Sequence, residues 1–416
     1  MTGTLAIRDI NARTCFNSRG ELTVEIDVDV GRATGRAMAP AGASVGRHEA
    51  QAFPTGGVTD ALRLLRGYKT RLRGLSPGDH QMITEELRRI DGTENYQRIG
   101  GSVAFALTLA AADAAAKAEG QPLYRLLAPN GPWRLPFPLG NVLGGGRHAG
   151  KATPDIQEFL VCPTGAPTIL QALQANARVH QEVGKRLALL DHGFTGGKGD
   201  EGAWAPRLQD EEALTVASSA IRDVSTAVGF EIRMGLDIAS SSFWDEESKV
   251  YDYRRSGTRR TPGDQVDYVV RLVKEYRLIY VEDPLHEDAF DEFAELTRKV
   301  RDAYIVGDDL LVTNPARLEK AASIGAGNAA ILKVNQAGGL GDALHFSETA
   351  RRKGYALITS HRSGDTPEAH IAHIGIATES IMLKAGVVGG ERVAKLNELI
   401  RISELGDASE MVRLRF

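Results

Sequence analysis

Cysteine is nearly absent from this chain of 416 residues, where only Cys15 and Cys162 occur. Two thiols make no disulfide framework, which fits a reducing cytosol. Each reads as a small core residue rather than a nucleophile. No apolar run approaches the length of a bilayer-spanning helix, so no membrane association is expected. The formal net charge is only -4, which leaves no electrostatic footprint for nucleic acid or an anionic membrane. The N-terminal residues lack the basic-then-apolar layout of a secretory leader, and a cytoplasmic location is expected. Low-complexity tracts and short-period repeats are missing too. What remains is an ordinary soluble composition, 42% hydrophobic and 25% charged, in a chain long enough for a barrel and a smaller partner domain.

Six charged residues each close an apolar run: Asp237, Glu282, Asp308, Lys333, His361 and Lys384. After a first gap of 45 residues the intervals are 26, 25, 28 and 23. Each is the length of one strand-plus-helix unit. The spacing therefore predicts six side chains at the C-terminal ends of successive strands of a parallel barrel, the rim where such barrels carry active sites. The long first gap holds strand-like Lys249–Arg254 and a polar stretch after it, which predicts an excursion.

The N-terminal third reads differently. Residues 21–30 alternate apolar and acidic side chains, the period of a half-buried strand. A second strand is predicted over Ala33–Met38 and helices near 59–74, 79–91 and 101–119, the last rich in alanine and suited to close packing. Between them, residues 39–46 are small and glycine-rich, equally readable as a connector or as a mobile lid. Pro129, Gly131, Pro132, Pro136 and Pro138 then punctuate the chain. The expected organisation is an α+β domain over residues 1–135 and a barrel domain over 136–416.

The chemistry of the rim follows from its residue types. Asp237, Glu282 and Asp308 offer only oxygen, which suits Mg²⁺ and gives zinc no grip. Any one of them alone is better read as a helix cap. Three in successive units favour a metal site. Lys333 and Lys384 stand further round, and an ammonium beside bound cations and partly desolvated has a lowered pKa, as a general base needs. His361-Arg362-Ser363-Gly364 offers a clamp for phosphate or carboxylate. Glu201 follows a glycine-rich turn and Glu158 follows Gly144–Gly150, and either alone is also an ordinary surface charge.

Together these segments resemble the enolase family, with details closer to its archaeal branch. The match spans nearly the whole chain and includes Asn17-Ser18-Arg19-Gly20, Gly42-Ala43-Ser44, Gly146–Gly150, Gly199-Asp200-Glu201-Gly202, Val281-Glu282-Asp283-Pro284, Gly307–Leu310, Lys333–Gln336 and Ser360–Gly364. The resemblance implies an α/β fold: a modified ββαα(βα)₆ barrel with a smaller α+β N-terminal domain. It implies a Mg²⁺-dependent lyase that dehydrates 2-phosphoglycerate reversibly to phosphoenolpyruvate, in a homodimer. By resemblance, Asp237, Glu282 and Asp308 bind a first Mg²⁺ and Ser44 helps hold a second. Lys333 takes the proton alpha to the carboxylate, and Lys384 binds substrate. Glu201, supported by Glu158, protonates the leaving hydroxide. His148, Gln157 and His361 line the pocket, while Arg362 and Ser363 hold the phosphate. The chemistry is consistent on general grounds, because a proton beside an ionised carboxylate is a very weak acid and cations on that carboxylate stabilise the developing dianion. Lysine base plus magnesium is the standard pairing in that superfamily.

The chain departs from the family at Asn17, Val45, Phe53–Gly57, Ser102 and Ala385, none of which carries an assigned step. Arg47, His48 and Arg147 gather near the expected phosphate end. They read either as surface charge or as a mark of a substrate with an extra anionic group, as in carboxyphosphonoenolpyruvate synthase, which dehydrates 2-phosphonoformylglycerate. A non-catalytic scaffold of the same fold is a further alternative.

Overall fold

The structure is a computed structural model that describes residues 5–42, 48–150 and 152–414. Its N-terminal part is a three-stranded antiparallel sheet of β1 (Asp9–Phe16), β2 (Leu22–Asp29) and β3 (Thr34–Met38), packed against α1 (Gly57–Leu72), α2 (His80–Asp91) and α3 (Gly101–Glu119). The alternation of β2 sorts as its pattern requires. Val24, Ile26 and Val28 are fully buried, while Glu25 and Asp27 meet Arg13 of β1 and Arg36 of β3 on the other face. Alanines let α3 lie almost on the strands. A Cβ at Gly35 would come within 2.0 Å of the Ala110 carbonyl, so only glycine fits there. Strand β1 escapes the sequence reading because its alternation of Ile10 and Ala12 with Asn11 and Arg13 is short and fails at Thr14.

The larger part is a closed eight-stranded barrel. Its strands are β4 (Phe137–Gly144), β5 (Glu158–Cys162) and β6 (Arg233–Asp237), then β10 (Tyr280–Glu282), β11 (Tyr304–Gly307), β12 (Ala329–Leu332), β13 (Ala356–Ser360) and β14 (Met382–Gly386). Between β6 and β10 the chain makes the expected excursion, a small sheet of β7 (Trp244–Asp245), β8 (Val250–Tyr253) and β9 (Thr258–Arg260). β5 runs antiparallel to both β4 and β6, and two helices in succession, Ile169–Leu190 and Asp210–Val228, precede β6. All other barrel pairings are parallel.

One buried acid anchors this irregular turn. Asp210, at the start of its helix, accepts the Ile156 N–H at 3.0 Å and so fixes the approach to Gln157 and Glu158. It is 3% exposed. Burial, reinforced by Asp155 and Glu211, pushes its pKa from the usual 3.8 up to about 7. A raised acid contributes stability that is whole below the unfolded value and is lost as pH rises through about 7. Asp210→Asn keeps the acceptor and cannot ionise. The variant is expected to gain on wild type by roughly 2 kcal/mol at pH 8 and to show no gain at pH 4. Parallel thermal melts at the two pH values check this, and equal shifts at both would refute it.

Candidate active site

Each of the six strand-end charges reaches the C-terminal mouth of the barrel. Asp237 and Glu282 are register partners on β6 and β10. Asp308 and Lys333 directly follow β11 and β12, His361 follows β13, and Lys384 lies within β14. Lys384 is the hub. Its Nζ lies 2.5 Å from Glu282, 2.9 Å from Asp237 and 3.2 Å from Glu158. Burial opposes its charge, but these carboxylates hold the ammonium well above its ordinary pKa. Among the described residues Lys333 pairs with Asp308 alone, and the other oxygen of that carboxylate accepts Gln336 Nε2 at 2.9 Å.

The expected lowering of the lysine pKa is therefore not met by the protein groups themselves. Burial, Arg362 and Lys384 push Lys333 down, but Asp308 and Glu282 outweigh them and hold it above its ordinary value. Positive charge on the carboxylates is what would reverse that balance.

The residues present fit a divalent cation. Glu282, Asp283 and Asp308 offer oxygens within 4.8 Å of one another, and Asp237 Oδ1 and Glu282 Oε1 are buried without a hydrogen-bond partner. Burial and the neighbouring Asp237 raise Glu282 to about 8, the mark of negative charge gathered ahead of need. An all-oxygen set suits a hard metal. Asp283 joins this cluster unforeseen, but its carboxylate already accepts the N–H groups of Asp308 (3.0 Å) and Asp309 (2.8 Å). It shapes the turn that presents Asp308.

A second cluster faces the first. His148, Glu158 and Glu201 bring one ligand atom each within 4.8 Å. His148 Nδ1 lies 3.1 Å from Glu158 and 3.7 Å from Glu201, while its Nε2 meets Ser363 Oγ at 3.3 Å. Despite burial, Glu201 and Glu158 lift His148 to about 9. Glu201 is 3.2 Å from His361 Nε2 and accepts Asn141 Nδ2 at 3.2 Å. Gln157 Nε2 reaches Asp237 at 3.2 Å.

His361 is buried and pushed down to about 4. Its Nδ1 accepts Arg392 Nη1 at 2.8 Å, which leaves the proton on Nε2, facing Glu201. Glu201 is thus held as a carboxylate, well below its usual range against the opposing effect of burial, by His361 and His148. Burial and Glu201 raise its neighbour Glu158 to about 7. The cluster's proton sits on the His148 and Glu158 side, a distribution that residue types alone do not reveal.

The loop carrying Arg362 and Ser363 is gripped from several sides. Ala41 and Gly364 exchange backbone hydrogen bonds of 2.7 and 2.8 Å, and Ser18 does the same with Asp365 through its N–H and hydroxyl. Arg392, completely buried, donates to the carbonyls of Arg362 (2.5 Å), Ser363 (2.7 Å) and Asp200 (3.1 Å) and to the Asp365 carboxylate (3.0 Å). The Glu201 loop lies along β4 through Trp204. It presses so closely on β14 that a Cβ at Gly386 would stand 2.0 Å from the Glu201 carbonyl. Arg19 of the N-terminal part binds Asp200 at 2.6 Å and the Gly42 carbonyl at 3.3 Å.

Arg362 itself is engaged by Glu49, at 3.2 Å, and by Asn335 at 3.1 Å. The enclosed space among these groups is about 30 Å³. Ser44 and Arg47 lie outside the described residues. His48 and Arg147 are exposed, so neither supplies a buried anion site.

Arg392, Glu49 and Asn141 went unassigned in the sequence. Arg392 begins a helix, where a charged residue usually faces solvent, and Glu49 sits in a segment of small residues with no periodicity.

Comparison with known proteins bears on these groups as a set. Residues 7–127 match the family model described as "Enolase, N-terminal domain", and residues 132–413 that described as "Enolase, C-terminal TIM barrel domain". The chain is 45% identical over 403 residues to "Enolase" of Methanosphaera stadtmanae, covering 96% of this chain and 97% of the relative. It is 44% identical over 412 residues to "Enolase" of Methanothermobacter thermautotrophicus, with 99% of each covered. With "Enolase" of Natronomonas pharaonis it shares 46% identity over 403 residues, 95% of this chain and 98% of the relative.

Proposed function

Because the chain belongs to the enolase family, we propose that it is a lyase dehydrating 2-phosphoglycerate reversibly to phosphoenolpyruvate. The observation that carries this reading is the pairing of two clusters across one mouth. Lys333 stands at the end of β12 beside the metal-type carboxylates, and Glu201 reaches the same mouth beside β4, three strands away round the barrel. A base and an acid are thereby kept apart, as removal of a proton and of a hydroxide from adjacent carbons requires.

Asp237, Glu282 and Asp308 would hold Mg²⁺, with Ser44 reserved for a second ion. Bound there, the ions supply positive charge to the substrate carboxylate. Lys333 is the base for the proton alpha to that carboxylate. Lys384 binds substrate from the centre of the carboxylates. Arg362 and Ser363 take the phosphate once Glu49 yields its place on the guanidinium, and His148, Gln157 and His361 wall the pocket. Glu201 receives the proton shared with His148 and Glu158 and passes it to the departing hydroxide.

The domain boundary belongs at residues 135/136. No helix among the described residues is long and apolar enough to cross a membrane, and a cytoplasmic enzyme of glycolysis or gluconeogenesis fits the reading. A homodimer fits too. Phe16 and Leu22, cross-strand partners on β1 and β2, are 67% and 55% exposed and form an apolar edge suited to a second copy. Dehydration of a phosphonate substrate and a non-catalytic scaffold find no support, since the relatives above are enolases by name.

Purified protein with Mg²⁺ is expected to turn over 2-phosphoglycerate, followed by the ultraviolet absorbance of the enol product. It should leave 2-phosphonoformylglycerate unchanged. Turnover of the phosphonate alone would overturn the assignment.

A further inference from the structure

The barrel has another concave feature at the end remote from the charged mouth. The N-terminal ends of β11 and β13 and the approach to β14 floor a cavity of about 800 Å³. Its rim carries four guanidinium groups, Arg134, Arg301, Arg351 and Arg413, and one carboxylate, Glu379. Glu379 is taken by Arg351 at 2.6 Å. Among the described residues, Arg134, Arg301 and Arg413 make no ion pair. A protein of net charge -4 thus gathers round one hollow three guanidinium groups that have no ion-pair partner among the described residues.

Helix ends account for only half of this. Basic side chains complement the negative C-terminus of a helix. Arg351 lies in the last turn of the helix Leu340–Arg352, and Arg301 stands just beyond the helix Phe290–Lys299. Arg134 and Arg413 adjoin no helix end. They come from the inter-domain connection and the C-terminal tail, which are locked side by side: Leu135 N–H donates to the Glu410 carbonyl at 2.8 Å, and Val412 N–H to the Leu135 carbonyl at 3.0 Å. Backbone pairing therefore brings the chain segments of Arg134 and Arg413 together at the rim they share with Arg301 and Arg351.

The floor is apolar. Leu357, Ile381 and Val412 contribute to it, and the Tyr355 hydroxyl is already spent on the Ala326 carbonyl at 2.7 Å, so that residue presents its ring. The volume is in the range of small-ligand pockets. Guanidinium forks match phosphate oxygens.

We propose that this cavity is a binding site for a nucleoside di- or triphosphate, with the phosphates on the arginine rim and the base against the apolar floor. The site is separate from the dehydration machinery and does not depend on it.

The test is calorimetric titration of the full-length protein with ADP, ATP, adenosine and pyrophosphate, in saturating Mg²⁺ and 2-phosphoglycerate so that the mouth is filled. Saturable binding of ADP or ATP is expected, weakening as salt rises. Affinity should fall at least tenfold in the Arg134→Ser/Arg413→Ser double variant, with turnover unchanged. Arg301→Ser offers an independent check should the double variant fold poorly, and Arg147→Ser should bind as wild type. Absence of saturable nucleotide binding would overturn the proposal, as would binding indifferent to all three rim substitutions. Pyrophosphate binding as tightly as ATP would overturn the assignment to a nucleotide.

Discussion

Replacing Lys333 with alanine is expected to cut turnover of 2-phosphoglycerate by about 10³- to 10⁴-fold, the contribution of a positioned base. Two lysines at the mouth compete for that role, and their surroundings separate them. Lys384 touches three carboxylates and is bound firmly as an ammonium, so it gives up a proton poorly. Among the described residues Lys333 touches one carboxylate; against burial, Asp308 and Glu282 hold it above its ordinary pKa, with Arg362 and Lys384 opposing them. It is the lysine expected to release its proton when positive charge arrives on Asp308. The alanine variant should also lose exchange of the substrate's alpha proton with deuterated solvent. Its thermal shift on adding Mg²⁺ should persist, because Asp237, Glu282 and Asp308 remain. Retention of a tenth of wild-type turnover, or of solvent exchange, would remove Lys333 from the mechanism.

Chelation of divalent metal should abolish turnover and lower the melting temperature, both restored by Mg²⁺. Carboxylates outnumber the lysines at the mouth, and Glu282 is raised to about 8 by burial and by Asp237. A ligand present at a hundred times its dissociation constant stabilises the folded state by about 2.7 kcal/mol. Protons compete for the same oxygens, so the stabilisation should grow from pH 6 to pH 9. Calorimetric melts with and without Mg²⁺ across that range measure it. A metal-induced shift that shrinks as pH rises would contradict the assignment of these carboxylates. Lys384→Met tests the same cluster from the other side. Without its cation the metal-free variant leaves Glu158, Asp237 and Glu282 uncompensated, a loss of about 3–5 kcal/mol that Mg²⁺ should partly reverse.

The barrel could be read from the chain because its units are regular. A charged residue after each apolar run marks a strand end, and near-constant intervals turn six such marks into a ring. The ββαα opening turn was readable only through resemblance, since Glu158 begins an antiparallel strand and offers no period of its own. The helix over 101–119 was legible in full because alanine-rich sequence is both helical and small. What escaped were groups whose role is fixed by contact rather than pattern. Arg392 looks like a surface residue until the loop of residues 361–365 folds over it, and Glu49 acquires meaning only beside Arg362. The ionisation of the His148, Glu158 and Glu201 cluster depends on which nitrogen of His361 is protonated, which is decided by Arg392 from more than thirty residues away.

The exchange of backbone hydrogen bonds between Ala41 and Gly364, with Ser18 against Asp365 and Arg19 against Asp200, makes the smaller domain a working part of the catalyst. A gene severed between the two halves would yield a cylinder whose loop of residues 361–365 has no scaffold on one flank. Inheritance must therefore treat the two domains as a single unit, and a hybrid that pairs this barrel with a foreign N-terminal half would need matching residues at 18, 19 and 41 before it could turn over.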